Sequence, residues 1–155
     1  MQIKNINGNL LDSTAEFIVH QVNCLGVMGS GVARAIRDKW PVVYDEYSKL
    51  FQNTAEWTSH LLGKIQIIKI SDTQSVVNLF AQSNYGYDGR RYTSYDANDT
   101  CLSKLAEYCT EHSVKSIALP YYMSCGRGGA NWQIILEMLY EHFKDTDITI
   151  EIWKL

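Results

Sequence analysis

FIVHQVNCLGVMGSGVARAI, residues 17–36, decides the fold. Phe17 to Val22 is an apolar, β-prone run of strand length, closed by Asn23 and Gly26. Gly29, Ser30 and Gly31 come next. From Gly31 the spacing of Val32, Ala35, Ile36 and Trp40 puts apolar residues near one helical face, and Pro41 stops that helix and can open another. Buried strand, glycine-rich loop, helix is the unit from which α/β sheets are built, and ligands settle at the carboxyl ends of such strands.

The same grammar returns once. SIALP, residues 116–120, reads as a strand; YYMSCGRGGA follows; a helix over Asn131 to Phe143 then turns Trp132, Ile135, Leu136 and Leu139 toward a core. Around these units lie a short strand at Gln2 to Ile6, a helical continuation over 42–52, strands at Lys64 to Ile70 and Ser75 to Ala81 with a turn at Asp72 to Gln74, and an alternating terminal strand in DITIEIWKL. Ser94 or Asp96 caps a helix that runs to about His112. Strands separated by helices predict an α/β sandwich on a largely parallel sheet, with an antiparallel pair where the strands at 64 and 75 meet.

At 155 residues the chain is read as one domain over 1–155, large enough to bury a core without a metal or disulfide staple. The 46% hydrophobic and 20% charged content excludes disorder, collagen and coiled coil. No window is long and apolar enough to span a bilayer and the amino-terminal residues lack signal-peptide order, so no membrane partner and a cytoplasmic location are expected. Cys24, Cys101, Cys109 and Cys125 then read as reduced thiols, and neither they nor the histidines fall at zinc-ligand spacing, so no metal or cofactor is expected. A net charge of −3 gives no global pull on anions, so an anionic ligand must be held by local geometry.

That geometry is offered by Gly29, Gly31, Gly126, Gly128 and Gly129. Glycines let backbone N–H groups converge at a helix N-terminus, a cradle for phosphate, and two such loops suit a diphosphate. Each loop alone is equally well a tight strand-to-helix turn. There is no GxxxxGK[ST], and the first loop reads GxxGxG rather than GxGxxG, so P-loop and nicotinamide-binding sites are disfavoured.

GNLL at 8–11, HQVNCLGVMGSGVARAI at 20–36, LPYYMSCGRGGANW at 119–132 and the terminal IWKL together resemble a macro domain, the three-layer α/β/α fold that binds ADP-ribose. The short form resembles the branch holding ADP-ribose 1″-phosphate phosphatases and small ADP-ribosyl hydrolases. The resemblance implies that Asn9 and Leu10 flank adenine, that Asn23 bonds the distal ribose, and that Gly29, Ser30, Gly31 and Val32 wrap the diphosphate. It places Tyr122, Met123, Ser124, Cys125, Gly126, Arg127 and Gly128 along the phosphates and distal ribose, and Leu155 beside the adenosine half. ADP-ribose or a 1″-linked derivative is the implied partner.

Departures accompany the matches. Asn9 stands where many relatives carry Asp. The branch that removes ADP-ribose from acidic side chains or DNA uses a lysine where this chain has Gln82, and one class adds an acid where this chain has Gly128. His20 resembles the histidine of the phosphatase branch, and an imidazole titrating near pH 6.5 would serve as acid or base in phosphomonoester hydrolysis. A buried strand histidine satisfied by a backbone carbonyl is the other reading of the same residue. Residues 82–93 form a long loop; Asp88 on it reads either as an acidic partner for His20 or as a turn former, while Tyr85, Tyr87, Arg90, Arg91, Tyr92 and Tyr95 suit a lid over a small ligand or a clamp on single-stranded nucleic acid, and the acidic net charge favours the lid. The expected activity is hydrolysis of ADP-ribose 1″-phosphate with His20 and Asn23 as the catalytic pair. The rivals are an ADP-ribosyl hydrolase, a non-catalytic reader and a nucleic-acid module.

Overall fold

A computed structural model describes residues 1–52, 59–83, 91–125 and 128–155. Its strands are β1 (Gln2–Asn7), β2 (Phe17–Asn23), β3 (Ile65–Lys69), β4 (Ser75–Gln82), β5 (Ser116–Pro120) and β6 (Thr149–Lys154); its helices are α1 (Gly31–Lys39), α2 (Pro41–Lys49), α3 (Tyr95–Glu111) and α4 (Trp132–Phe143). Short 3-10 turns at Leu10–Asp12 and Ser59–Leu61 were not legible in the sequence pattern. Ser94, not Asp96, caps α3 by accepting from the Ala97 N–H, and Asn131 caps α4 by accepting from the Gln133 N–H.

The strands form one sheet in the order β1-β6-β5-β2-β4-β3. All neighbours are parallel except β3 with β4, the antiparallel pair expected from the turn between them. Successive strand residues face opposite sides, so a parallel strand covered on both faces must be apolar throughout. In β2, Phe17 and Val19 enter the core beneath α3 and α4 with Leu79, Leu105, Ile117, Ile135 and Ile150. Ile18 and Val22 enter the core beneath α1 and α2 with Ile36, Val43, Tyr47, Val76 and Phe80. Each fully buried aliphatic side chain contributes roughly 1.5–3 kcal/mol relative to exposure. The result is the expected three-layer α/β/α arrangement.

β2 and β5 are neighbours, yet the chain leaves β2 toward α1 on one face and leaves β5 toward α4 on the other. Diverging connections open a crevice at the carboxyl ends of two adjacent parallel strands. The two glycine-rich loops therefore meet in one place.

Candidate functional site

Two joined hollows occupy that crevice. The smaller, about 370 Å³, is lined by His20, Asn23, Val27, Gly29 to Ala33 and Gln82 on one side, and by Tyr121 to Ser124 and Gly128 on the other. The larger, about 810 Å³, takes in Asn9, Leu10, Leu11, Ala35, Trp153, Lys154 and Leu155. Gly31, Val32, Pro120, Tyr121 and Tyr122 belong to both. Each lies within the size range of small-molecule sites.

The first turn of α1 sits at the junction. Its N-cap Ser30 makes no side-chain capping bond, so the leading N–H groups of α1 have no side-chain acceptor from that residue. Gly31 adopts φ 59°, a conformation open to glycine at little cost. Gly29 does not take positive φ, nor does Gly128; instead the second loop puts Tyr122 at φ 64° and Ser124 at φ 72°, with Gly129 at 72°. The sequence pointed to glycines for these turns, and tertiary contacts impose two of them on residues with side chains. Tyr122 is held by stacking on Tyr121, centroids 4.5 Å apart, and by an edge contact with Trp132. Ser124 donates to Gln21 and its carbonyl accepts from Thr93.

Gly128 is needed for space rather than for φ. A Cβ there would overlap Thr93 Oγ1 and the Ser124 carbonyl oxygen and crowd Gln21 Nε2 at 2.9 Å. Its own carbonyl accepts from the N–H groups of Tyr92 and Thr93. Gln21 Nε2 in turn donates to Gln82 Oε1 at 2.8 Å and to Thr93 Oγ1 at 2.9 Å. Gln82 thus sits in a neutral network of amides and hydroxyls at the edge of the smaller hollow.

Asn23 organises the first loop. Its Oδ1 accepts from the N–H groups of Leu25 and Val27 and from the Tyr47 hydroxyl, while Nδ2 donates to the Val27 carbonyl. One Nδ2 hydrogen is left for a ligand, where the resemblance implied a residue given over to ribose. Tyr47 is buried and its hydroxyl pKa is raised by desolvation, so it acts as a fixed donor.

His20 is 2% exposed, and burial lowers its pKa to about 4 against a raising effect of its hydrogen bond to Asn78. The expectation of an imidazole titrating near neutrality is corrected: desolvation disfavours the cation, and the ring is neutral at pH 7. Its bond is to the Asn78 side chain at 2.6 Å, not to a backbone carbonyl. Nδ1 is buried with no hydrogen-bond partner among the described residues. A thiol nucleophile in the loops is also disfavoured, since burial pushes Cys24 and Cys125 up to about 11. Cys125 lines neither hollow, its Sγ lying 3.3 Å from the Met123 carbonyl oxygen.

Asn9 lies in the larger hollow with its Oδ1 accepting from the Leu11 N–H at 3.0 Å. Gly126, Arg127 and residues 84–90, including Tyr85, Tyr87, Asp88 and Arg90, fall outside the described residues. Arg91 lies over the Tyr95 ring at 4.4 Å, and Thr93 bridges Gln82, so this end of the long segment is tied to the site's edge. Sequence reasoning missed Gln21, Pro120, Tyr121, Trp153 and Lys154 as lining residues; their closeness to His20, to the second loop and to the terminal motif was the available signal. Among the described residues no group of three or more His, Cys, Asp or Glu side chains could hold a metal.

A macro domain family model matches residues 19–139. A DNA ADP-ribosyl glycohydrolase of Mycobacterium tuberculosis is 26% identical over 150 residues, covering 93% of this chain and 40% of that protein. The chain thus spans about two fifths of such relatives. An ADP-ribose 1″-phosphate phosphatase of Aspergillus oryzae is 39% identical over 46 residues, 29% of this chain and 23% of that protein. The solved Thermosipho africanus DarTG in complex with ADP-ribose superposes with a TM-score of 0.80 at 18% identity, covering 99% of this chain and 42% of that one, a likeness of fold.

Proposed function

This chain belongs to the macro domain family, and from the cleft at the end of its sheet we propose that it binds ADP-ribose and hydrolyses a group joined at the 1″ position, ADP-ribose 1″-phosphate being the substrate. The observation that carries this reading is the meeting of two hollows at the uncapped first turn of α1. A diphosphate laid on the N–H groups from Gly29 to Val32 leaves one nucleoside-sized hollow on each side, and helix N-termini favour such anions even on an acidic protein. The adenosine half then lies among Asn9, Leu10, Tyr122 and Leu155. The distal ribose lies against the remaining Asn23 N–H, Tyr122, Met123, Ser124 and Gly128, with Cys125, Gly126 and Arg127 carried over from the family pattern.

In the reaction water attacks phosphorus, the bond from phosphorus to the 1″ oxygen breaks, inorganic phosphate leaves and C1″ keeps a hydroxyl. Neutral His20 supplies a hydrogen-bond acceptor that orients the water. The water's protons end on phosphate and the 1″ oxygen, and backbone N–H groups stabilise charge on the phosphoryl oxygens.

A second reading, removal of ADP-ribose from DNA, is favoured by relatives that match over nearly all of this chain. Against it, Gln82 is a neutral amide already accepting from Gln21, and Gly128 has no room for a side chain. Phosphate release from ADP-ribose 1″-phosphate, ADP-ribose release from modified DNA and calorimetric binding of ADP-ribose separate the cases. The expected result is saturable binding with phosphate release whose rate shows no inflection from His20 between about pH 5.5 and 8. Turnover of modified DNA without phosphate release would replace the first reading by the second, and binding without turnover would leave a reader.

A further inference from the structure

We infer that Asn78, anchored through Gln66 to the carbonyl of Glu46, is a positioning residue that fixes which nitrogen of His20 carries the proton and so makes Nδ1 a bare acceptor for an O–H donor in the cleft. The inference rests on the functional reading above, in which that donor is the attacking water. The polarity of the whole line follows from one end. The Glu46 carbonyl belongs to the last turn of α2, where helix carbonyls lack intrahelical partners, and it can only accept. Gln66 on β3 bonds it through Nε2 at 3.1 Å, so Gln66 must present Oε1 to β4. Asn78 meets that oxygen with Nδ2 at 3.0 Å and therefore turns Oδ1 toward β2.

His20 and Asn78 are register partners across β2 and β4, so their side chains lie on the same face of the sheet. Oδ1 accepts only, and the 2.6 Å contact must be a bond donated by Nε2–H. In a neutral ring the lone pair is then on Nδ1, and Nδ1 is a buried atom without a partner among the described residues. His20 is among the residues lining the smaller hollow, and the donor assigned to Nδ1 is a water or sugar hydroxyl bound there. A reversed tautomer would place a second donor at that point and repel the O–H it has to orient.

Nitrogen-15 NMR of the imidazole in the full chain at neutral pH tests the tautomer directly. The expected spectrum shows His20 as a single Nε2–H species. Gln66→Met, which keeps the bulk of the side chain and removes the anchor, is expected to give mixed tautomers and to lower kcat about tenfold with KM unchanged, the equivalent of about one net hydrogen bond. Asn78→Leu is expected to do the same and serves as a second variant if Gln66→Met folds poorly. A wild-type ring protonated on Nδ1 would overturn the inference while leaving phosphate release intact. The expected tautomer without phosphate release would overturn the functional reading and leave Nδ1 an acceptor. Unchanged kcat in both folded variants would remove Asn78 from the mechanism.

Discussion

The two loops that frame the cleft reach similar ends by different means. The first, from Asn23 to Gly31, puts its left-handed residues at Gly26 and Gly31, where the conformation is cheap, and a single asparagine with a tyrosine behind it gives the loop its shape. The second, from Tyr121 to Ala130, puts two of its left-handed residues at Tyr122 and Ser124. Strain of that kind persists only where the surroundings over-determine it. Here Gln21, Thr93, Asn98 and the Tyr121 ring supply those contacts. Where glycine absorbs the backbone demand, little else is needed; where it does not, the neighbouring strand and helix must supply a network.

The comparison breaks hardest at Gly128. Alanine there drives a Cβ into a hydroxyl and a backbone oxygen that cannot both move, because Thr93 and Ser124 hold one another. Gly128→Ala is expected to lower unfolding free energy by about 3 kcal/mol, the upper end for an overpacked site, and to abolish ADP-ribose binding. Urea unfolding and calorimetry read the two effects. A loss under about 1 kcal/mol would mean that the second loop yields as easily as the first.

Much of this arrangement was written in the chain, and the rest was not, for reasons that can be stated residue by residue. β2 and β5 were legible because strands buried on both faces are unbroken apolar runs, and the α1 spacing from Val32 to Ile36 repeats at helical period. That both loops share one cleft followed from the strand-loop-helix order. The positive φ of Tyr122 and Ser124 was not legible, because contacts distant in sequence impose it. Nor was the state of His20: its pKa depends on burial, and its partner Asn78 is set by register across strands separated by more than fifty residues. Asn23 illustrates both sides, lining the cleft yet occupied mainly in holding its own loop.

What lies beneath the loops differs too. Under the first is a titratable ring, His20; under the second are amides and hydroxyls. Acid should therefore enter through the first. With a folded pKa of about 4 and an unfolded value of 6.5, the unfolded ring takes up a proton before the folded one, so stability falls as pH drops from 6.5 toward 4 and is fully present above that range. The slope from this group is about 1.4 kcal/mol per pH unit, roughly 3 kcal/mol across the window. His20→Gln is expected to flatten the dependence of the urea midpoint there, even if it lowers the midpoint at pH 7. An equally steep acid limb in the variant would place the sensitivity elsewhere.

The smallest effects discriminate most finely within the first loop. Gly31→Ala meets no atom of the described residues within 4 Å, but φ 59° penalises any Cβ, and a loss of about 1 kcal/mol is expected. Gly29 has an ordinary φ and its added Cβ would sit 3.6 Å from Val27 Cγ1, a normal contact, so Gly29→Ala should leave stability unchanged. Nothing among the described residues then requires glycine at 29. If a diphosphate lies on the first turn of α1, the requirement comes from the ligand, and Gly29→Ala should weaken ADP-ribose binding at least tenfold, about 1.4 kcal/mol, at constant stability. Retention of full affinity in that variant would move the diphosphate off this turn and leave the first loop as a connector.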